Sequence, residues 1–383
     1  MYDGIIVGGG PAGAYLAYLM AREKLKVVVI EKEVMPRYKA CGGGLTPKVL
    51  DELPFEINDV IEDTIFSFGL RHRLSQEIRV TFDHPITYMV SRERFDHLLV
   101  EKARQAGAEV VEGIAVQTVN ILDDQVVVAG SNREWLGKIV VGADGARSRV
   151  AVALDLGSHK TPGVAVEIEL PVSTEVLQWY HGRITVDYGL VPHGYAWIFP
   201  KSDHLSIGAG TLKPGGVNLK NLLDRFVQHE GLGEIPNNVP VRGWIVPAVG
   251  SIKRLSRNRA LLLGDAAGLV DAFTGEGIYP AIRSASLAAK VIIEEIRHGK
   301  FDFRRYDSMV IKELGQELNN GLRTTNLFYP ASRLIHQILQ KRKDLVYDLA
   351  RLISGSITYA EFYKSCLKQL IGFSRPSESI AGS

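Results

Sequence analysis

Thiols are almost missing from this chain. Among its 383 residues only Cys41 and Cys366 carry one, far apart and without metal-ligand spacing. That argues against a disulfide framework, a zinc site or a four-thiolate iron–sulfur cluster, and no metal is expected. Long apolar runs are also lacking, so no segment is expected to span a bilayer. The net charge is only +2, which gives no reason to expect a nucleic-acid partner. No basic leader precedes the first apolar stretch, which points to a cytoplasmic protein. No histidine pair or carboxylate pair stands out as an acid–base couple. What remains is a globular composition, 46% hydrophobic and 23% charged, on a chain long enough for two or three lobes.

Charge is spread unevenly. From Arg297 onward there are 14 Lys and Arg against 8 Asp and Glu. The stretch "SRLIHQILQKRKDLVYDLARLI", residues 332–353, sets apolar residues at helical spacing beside basic ones. Such helices pack on a domain in the plainer reading; in the sharper one they touch anionic lipid or an acidic electron donor.

The N-terminus reads "YDGIIVGGGPAGAYLAYLMAREKLKVVVIEK", residues 2–32. A short buried strand leads into Gly8-x-Gly10-x-x-Gly13, then an alanine-rich helix, then the strand Val27 to Ile30 ending at Glu31. Gly8 permits the tight turn, Gly10 admits a pyrophosphate to the backbone, and Gly13 lets helix and strand close together. The helix N-terminus offers unpaired N–H groups to phosphate, and Glu31 stands where a carboxylate receives ribose hydroxyls. Gly8, Gly10, Pro11, Ala12, Gly13, Ala14, Glu31 and Lys32 are therefore candidate dinucleotide contacts. A glycine turn alone is weak evidence; strand, helix and terminal acid together make it strong. The turn does not choose between FAD and NAD.

Two later stretches bear on that choice. "VVGADGARSRV", residues 140–150, is a strand running into Asp144-Gly145, and "RALLLGDAAGLVDAFTGEGIYPAIRSASLAA", residues 259–289, is a strand ending at Gly264-Asp265 before a loop and a helix. With these motifs in this order, most of residues 1–300 resembles the FAD-dependent family that includes aromatic hydroxylases, flavin halogenases and geranylgeranyl reductases. The resemblance implies that Asp144 and Asp265 meet the cofactor, Asp265 at a ribityl hydroxyl; the bland alternative for Asp265 is a helix cap. It also implies that Gly277 and Ile278, opening a helix, face the flavin where reduction concentrates negative charge. Arg92, first in the helix of "VSRERFDHLLVEKARQAGAEV", is a further implied contact, with a surface arginine as its bland reading, and so is Val116 in a strand that follows.

Within that family "PRYKACGGGLTP" resembles the geranylgeranyl reductase branch, whose Pro-Arg-x-Lys-x-Cys-Gly-Gly-Gly-Leu pattern is complete here from Pro36 through Leu45. The resemblance implies that Arg37, Cys41, Gly42 and Gly44 lie at the flavin, the glycines baring the main chain to the ring. Without it Cys41 reads as a small buried apolar residue. A second branch pattern is Tyr195-x-Trp197-x-Phe199-Pro200. On a strand those aromatics share a face, which is more often core than site; the resemblance makes it the lining of an apolar tunnel, with Tyr195 and Trp197 against substrate.

The expected fold class is α/β: a Rossmann-like FAD-binding domain (1–60, 88–160 and 250–297), an antiparallel-sheet substrate domain (61–87 and 161–249) and a C-terminal helical region (298–383). The implied chemistry is reduction of isolated double bonds in a polyprenyl lipid or prenyl diphosphate, with Cys41 near the reacting carbon and an electron donor that is reduced ferredoxin or NAD(P)H. A peripheral membrane contact stays open, as do two rival functions: a flavin monooxygenase or halogenase, and a non-catalytic FAD-binding electron-transfer protein.

Overall fold

In the computed structural model, which describes residues 1–371, three sheets divide the work. Residues 372–383 of the expected helical region lie outside the described residues. The first sheet is mostly parallel and runs in spatial order Ser256–Arg257, Ala260–Leu262, Arg133–Gly142, Tyr2–Val7, Val27–Ile30, Glu109–Val111, with the hairpin strands Thr118–Ile121 and Val126–Gly130 attached at Arg133–Gly142. Val27–Ile30 is apolar throughout and buried at every position, as a strand covered on both faces must be. Ile5 pairs with Val28 on one side and Val140 on the other.

Helix Pro11–Arg22 packs between helices Arg92–Ala106 and Ile278–Arg297. It starts where it does because Gly10 is extended and Pro11 presets the first helical φ. Helix Arg92–Ala106 begins at Ser91, whose hydroxyl accepts from the Arg94 N–H at 3.2 Å, and ends at left-handed Gly107.

The second sheet has seven strands, in the order Arg242–Arg254, Gly157–Pro171, His204–Thr211, Gly194–Pro200, Arg183–Tyr188, Ser67–His72, Ile78–Thr81. It is antiparallel except where Arg183–Tyr188 runs parallel to Ser67–His72. Strand alternation gives it two apolar faces. Ala196, Ile198, Leu205 and Ile207 seal one against Leu223 and Phe226 of helix Leu219–His229. On the other, Phe68, Leu70, Ile184 and Tyr188 share a core with Leu339, Leu345, Val346 and Leu349 of the C-terminal helices.

The third sheet is small: Gly44–Leu45, Thr87–Val90 and Ile61–Ile65. Residues 61–65, grouped with the substrate sheet by the sequence reading, pair here instead. Val116 also differs from expectation. It lies in the connection between Glu109–Val111 and Thr118–Ile121 and not in a strand, although it is buried.

Candidate functional site

The glycine turn after the first strand divides its residues by need. A Cβ on Gly8 would lie 2.3 Å from the Ala143 carbonyl oxygen, at φ +105, and one on Gly13 would lie 2.0 Å from the Gly8 oxygen. Those two glycines serve the chain's own packing. A Cβ on Gly10 would meet nothing nearer than Arg37 Nη2 at 3.8 Å, so its main chain is open to a ligand. Pro11, Ala12, Gly13 and Ala14 form the buried first turn of the helix behind it. Glu31 is buried and accepts from the Gly9 N–H at 2.6 Å and the Glu33 N–H at 3.1 Å, which holds its carboxylate at the turn. Lys32 points away: its side chain is 69% exposed and pairs with Glu33 at 3.9 Å. Asp144 packs its main chain against Gly8, while its carboxylate accepts from Ser148 Oγ at 2.6 Å and the Arg149 N–H at 2.7 Å. That side chain is committed to the start of helix Arg149–Leu154.

Positive charge gathers beside the open glycine. Asp96, fully buried, takes both Nε and Nη2 of Arg92, at 2.7 and 2.8 Å, and Nη1 of Arg37 at 2.8 Å. Burial opposes the charge on Arg92, but Asp96 outweighs it and keeps the guanidinium firmly protonated. Its guanidinium also reaches the Cys41 thiol. Burial, then the charge of Arg92, lower the Lys39 pKa, with Asp265 acting the other way. A basic cluster around a bare backbone and a helix N-terminus is what the diphosphate of a dinucleotide requires, so the residues present fit FAD.

The Cys41 loop is fastened from several sides. The Cys41 N–H donates to Glu167 Oε1 at 2.9 Å, which also accepts from Tyr38 Oη at 2.5 Å. Lys201 Nζ donates to the carbonyl oxygens of Gly42 at 2.8 Å and Val90 at 2.9 Å, and burial pushes its pKa down to about 8. A Cβ on Gly42 would stand 2.8 Å from the Phe199 ring and 3.1 Å from Trp197 Nε1; one on Gly43, at φ +68, would stand 2.0 Å from the Val90 oxygen. These glycines therefore answer first to the protein itself. Gly44 is freer, with Thr87 Cγ2 nearest at 3.4 Å.

Tyr195, Trp197 and Phe199 do share a face, with successive ring centroids 6.0 and 6.1 Å apart. Trp197 lies over Gly208, where a Cβ would fall 2.1 Å from its ring, and beside Trp244; its Nε1 is buried without a hydrogen-bond partner. Tyr195 Oη donates to the Thr274 carbonyl at 2.6 Å, tying the sheet to the turn before helix Ile278–Arg297. Gly277 caps that helix, Ile278 opens it, and a Cβ on Gly277 would lie 3.5 Å from Asp265 Oδ1. Phe273, Phe328, Tyr329 and Tyr188 continue the aromatic surface with centroid separations of 5.0 to 6.4 Å.

Gly10, Arg37, Cys41, Gly42, Arg92, Asp265, Gly277, Tyr195 and Trp197 are thus joined by direct contacts or shared neighbours, whereas Lys32 faces solvent. The sequence reading missed Asp96, Glu167 and Lys201. Asp96 was within reach of it, because Arg92 and Asp96 are four residues apart on a helix. His72 and His336, too, form a buried stacked pair, centroids 5.0 Å apart, where a C-terminal helix meets the seven-stranded sheet; 264 residues apart in sequence, they gave no motif.

Residues 1–193 match the FAD binding domain family. A geranylgeranyl diphosphate reductase of Rhodobacter capsulatus is 31% identical over 78% of this chain and 77% of its own length. A digeranylgeranylglycerophospholipid reductase of Methanothermobacter thermautotrophicus is 28% identical over 84% of this chain and 86% of its own. Among solved structures, a geranylgeranyl bacteriochlorophyll reductase-like protein of Thermoplasma acidophilum superposes with a TM-score of 0.78 at 25% identity, covering 96% of this chain and 99% of that one. A halogenase superposes at 0.69 and 19% identity, covering 98% and 93%, which is a likeness of fold.

Proposed function

The chain belongs to the geranylgeranyl reductase family of FAD-binding proteins and uses FAD, and on that premise we propose that it saturates isolated carbon–carbon double bonds of a polyprenyl chain. The reduced flavin supplies the hydride; the protein binds, orients and keeps water away. Arg37, Arg92 and the helix start at Gly10 hold the phosphates. Asp265 and the Gly277–Ile278 helix start lie together and take the ribityl and ring end. Tyr195, Trp197, Phe273, Phe328 and Tyr329 present ring faces to an alkene that gains positive character as it is protonated, which aromatic faces favour.

The observation that carries this reading is the joining of the Cys41 loop to the aromatic strand: Gly42 sits against Phe199 and Trp197, and Lys201, next after Pro200, grips the same loop. A thiol, a bare main chain and an aromatic ceiling are thereby built as one piece. Isolated alkenes have no carbonyl to polarise, so the substrate is recognised by apolar surface, with a prenyl diphosphate or a prenyl lipid as its source.

The electron donor we favour is reduced ferredoxin or NAD(P)H. No helix among the described residues is long and apolar enough to cross a membrane. A peripheral contact would use the C-terminal helices, where Leu327, Leu334 and Leu367 are 72%, 62% and 58% exposed near Arg333, Lys364 and Lys368. The test is anaerobic incubation of dithionite-reduced protein with geranylgeranyl diphosphate, followed by mass spectrometry. A gain of one H2 per double bond is expected. Unchanged prenyl chains there, together with substrate-dependent oxygen consumption in a parallel aerobic assay, would favour a monooxygenase instead.

A further inference from the structure

Glu276 has no task in the reading above. It stands in Gly275-Glu276-Gly277, the turn entering helix Ile278–Arg297. A Cβ on Gly275 would lie 2.6 Å from Tyr195 Oη, and one on Gly277 would lie 3.5 Å from Asp265 Oδ1. The glycines on either side of it thus face the aromatic ceiling and the acid of the cofactor side. Thr46, which follows the glycine loop after Leu45, donates its hydroxyl to Glu276 Oε1 at 2.7 Å. Thr46 occupies the N-cap position of helix Pro47–Glu52, yet its side chain caps nothing there. Glu276 thus joins the two segments that meet at the site.

The ionisable groups facing it are Lys48 from helix Pro47–Glu52, Asp271 from its own turn, Tyr279 from the helix it precedes and Tyr359 from the last helix. Lys48 and Thr46 favour the carboxylate; burial and Asp271 oppose it and prevail, raising the pKa to about 7. A carboxylate beside a helix N-terminus would ordinarily be stabilised. This one is instead only partly ionised near neutrality, and the residue is half-buried.

We propose that Glu276 is the acid that protonates the alkene, an inference that rests on the reductase reading. The Glu276 O–H bond breaks and its proton takes the π pair to form a C–H bond at one alkene carbon. The hydride of a two-electron-reduced flavin reaches the other carbon, and the carboxylate recovers its proton from water between turnovers. An acid poised near the working pH suits a weakly basic alkene, and while neutral it places no second negative charge beside a reduced cofactor.

Infrared difference spectra of the FAD-loaded protein without substrate test the protonation state directly. A carboxylic acid band should titrate near pH 7 and vanish in Glu276→Gln. Thr46→Val, which removes the hydrogen bond that favours the carboxylate, should move the midpoint upward. Glu276→Gln should hold FAD normally and saturate geranylgeranyl diphosphate in a single anaerobic turnover at a rate lower by on the order of 100-fold. Saturation by Glu276→Gln within about twofold of wild type, or no titrating band in wild type, would overturn the proposal while leaving the reductase reading intact. Should Glu276→Gln not fold, an unshifted band in Thr46→Val, or none, sinks the proposal. Failure of the wild type to saturate any prenyl chain removes the reductase reading, and this proposal with it.

Discussion

The two glycine-rich stretches look alike in sequence and answer to different demands. In the turn after the first strand, Gly8 and Gly13 are required by neighbouring backbone, and only Gly10 is left bare. In the Cys41 loop, Gly42 and Gly43 are required by Phe199, Trp197 and the Val90 oxygen, and Gly44 is the freer position. A glycine run therefore does not announce a ligand at each of its members. The member that the protein's own packing does not claim is where a cofactor can come close.

The largest effect should come from a claimed glycine. Gly43→Ala sets a methyl 2.0 Å from a carbonyl oxygen at a left-handed φ of +68, and should destabilise the cofactor-free protein by on the order of 3 kcal/mol, read as a shift of the urea midpoint. Gly10→Val sets its Cβ no nearer than 3.8 Å to another side chain, on extended backbone, so the cofactor-free protein should change by less than about 0.5 kcal/mol. FAD affinity should nevertheless fall by on the order of 100-fold, because the side chain occupies the pyrophosphate's approach. If both variants lost stability alike and neither lost FAD selectively, the distinction between claimed and unclaimed glycines would fail.

Lys201 sharpens the comparison from the outside, since it holds the second loop in place through two carbonyls. Lys201→Met leaves both without that donor and should cost about 1–3 kcal/mol. Its pH signature is distinctive. Burial lowers the folded-state pKa from 10.5 to about 8, so between those values the unfolded chain binds more protons than the folded one. This group's contribution to stability should accordingly rise with pH across that window and be lost as pH falls through 8. A stability–pH profile unchanged by Lys201→Met would show that the ammonium is not buried as described.

The contrast also explains what the sequence could reveal. The dinucleotide turn was legible because strand, turn, helix and acid occur within residues 2–31 in the order in which they act. The aromatic stripe was legible from its period of two. The groups that fasten the second loop were not, because Glu167 comes from 126 residues beyond Cys41 and Glu276 from 230 beyond Thr46. Trp197 was legible in part. Its place on the shared face was foreseen, but its packing over Gly208 depends on a neighbouring strand's register, which no local pattern discloses.

Gly44→Ala should be the mildest change and the most discriminating. Its Cβ would meet Thr87 Cγ2 at 3.4 Å and Met89 Cε at 3.7 Å, ordinary contacts, and its backbone is not left-handed. Stability of the cofactor-free protein should stay within about 0.5 kcal/mol of wild type. If the loop runs along the flavin, a methyl there intrudes on the ring, so flavin content and the visible absorption of the bound cofactor should shift while folding does not. An alanine variant with unaltered flavin spectrum and occupancy would mean that the second glycine run serves only to let Phe199 and the Thr87–Val90 strand close on the loop. The cysteine ahead of it would then have to be explained without the ring.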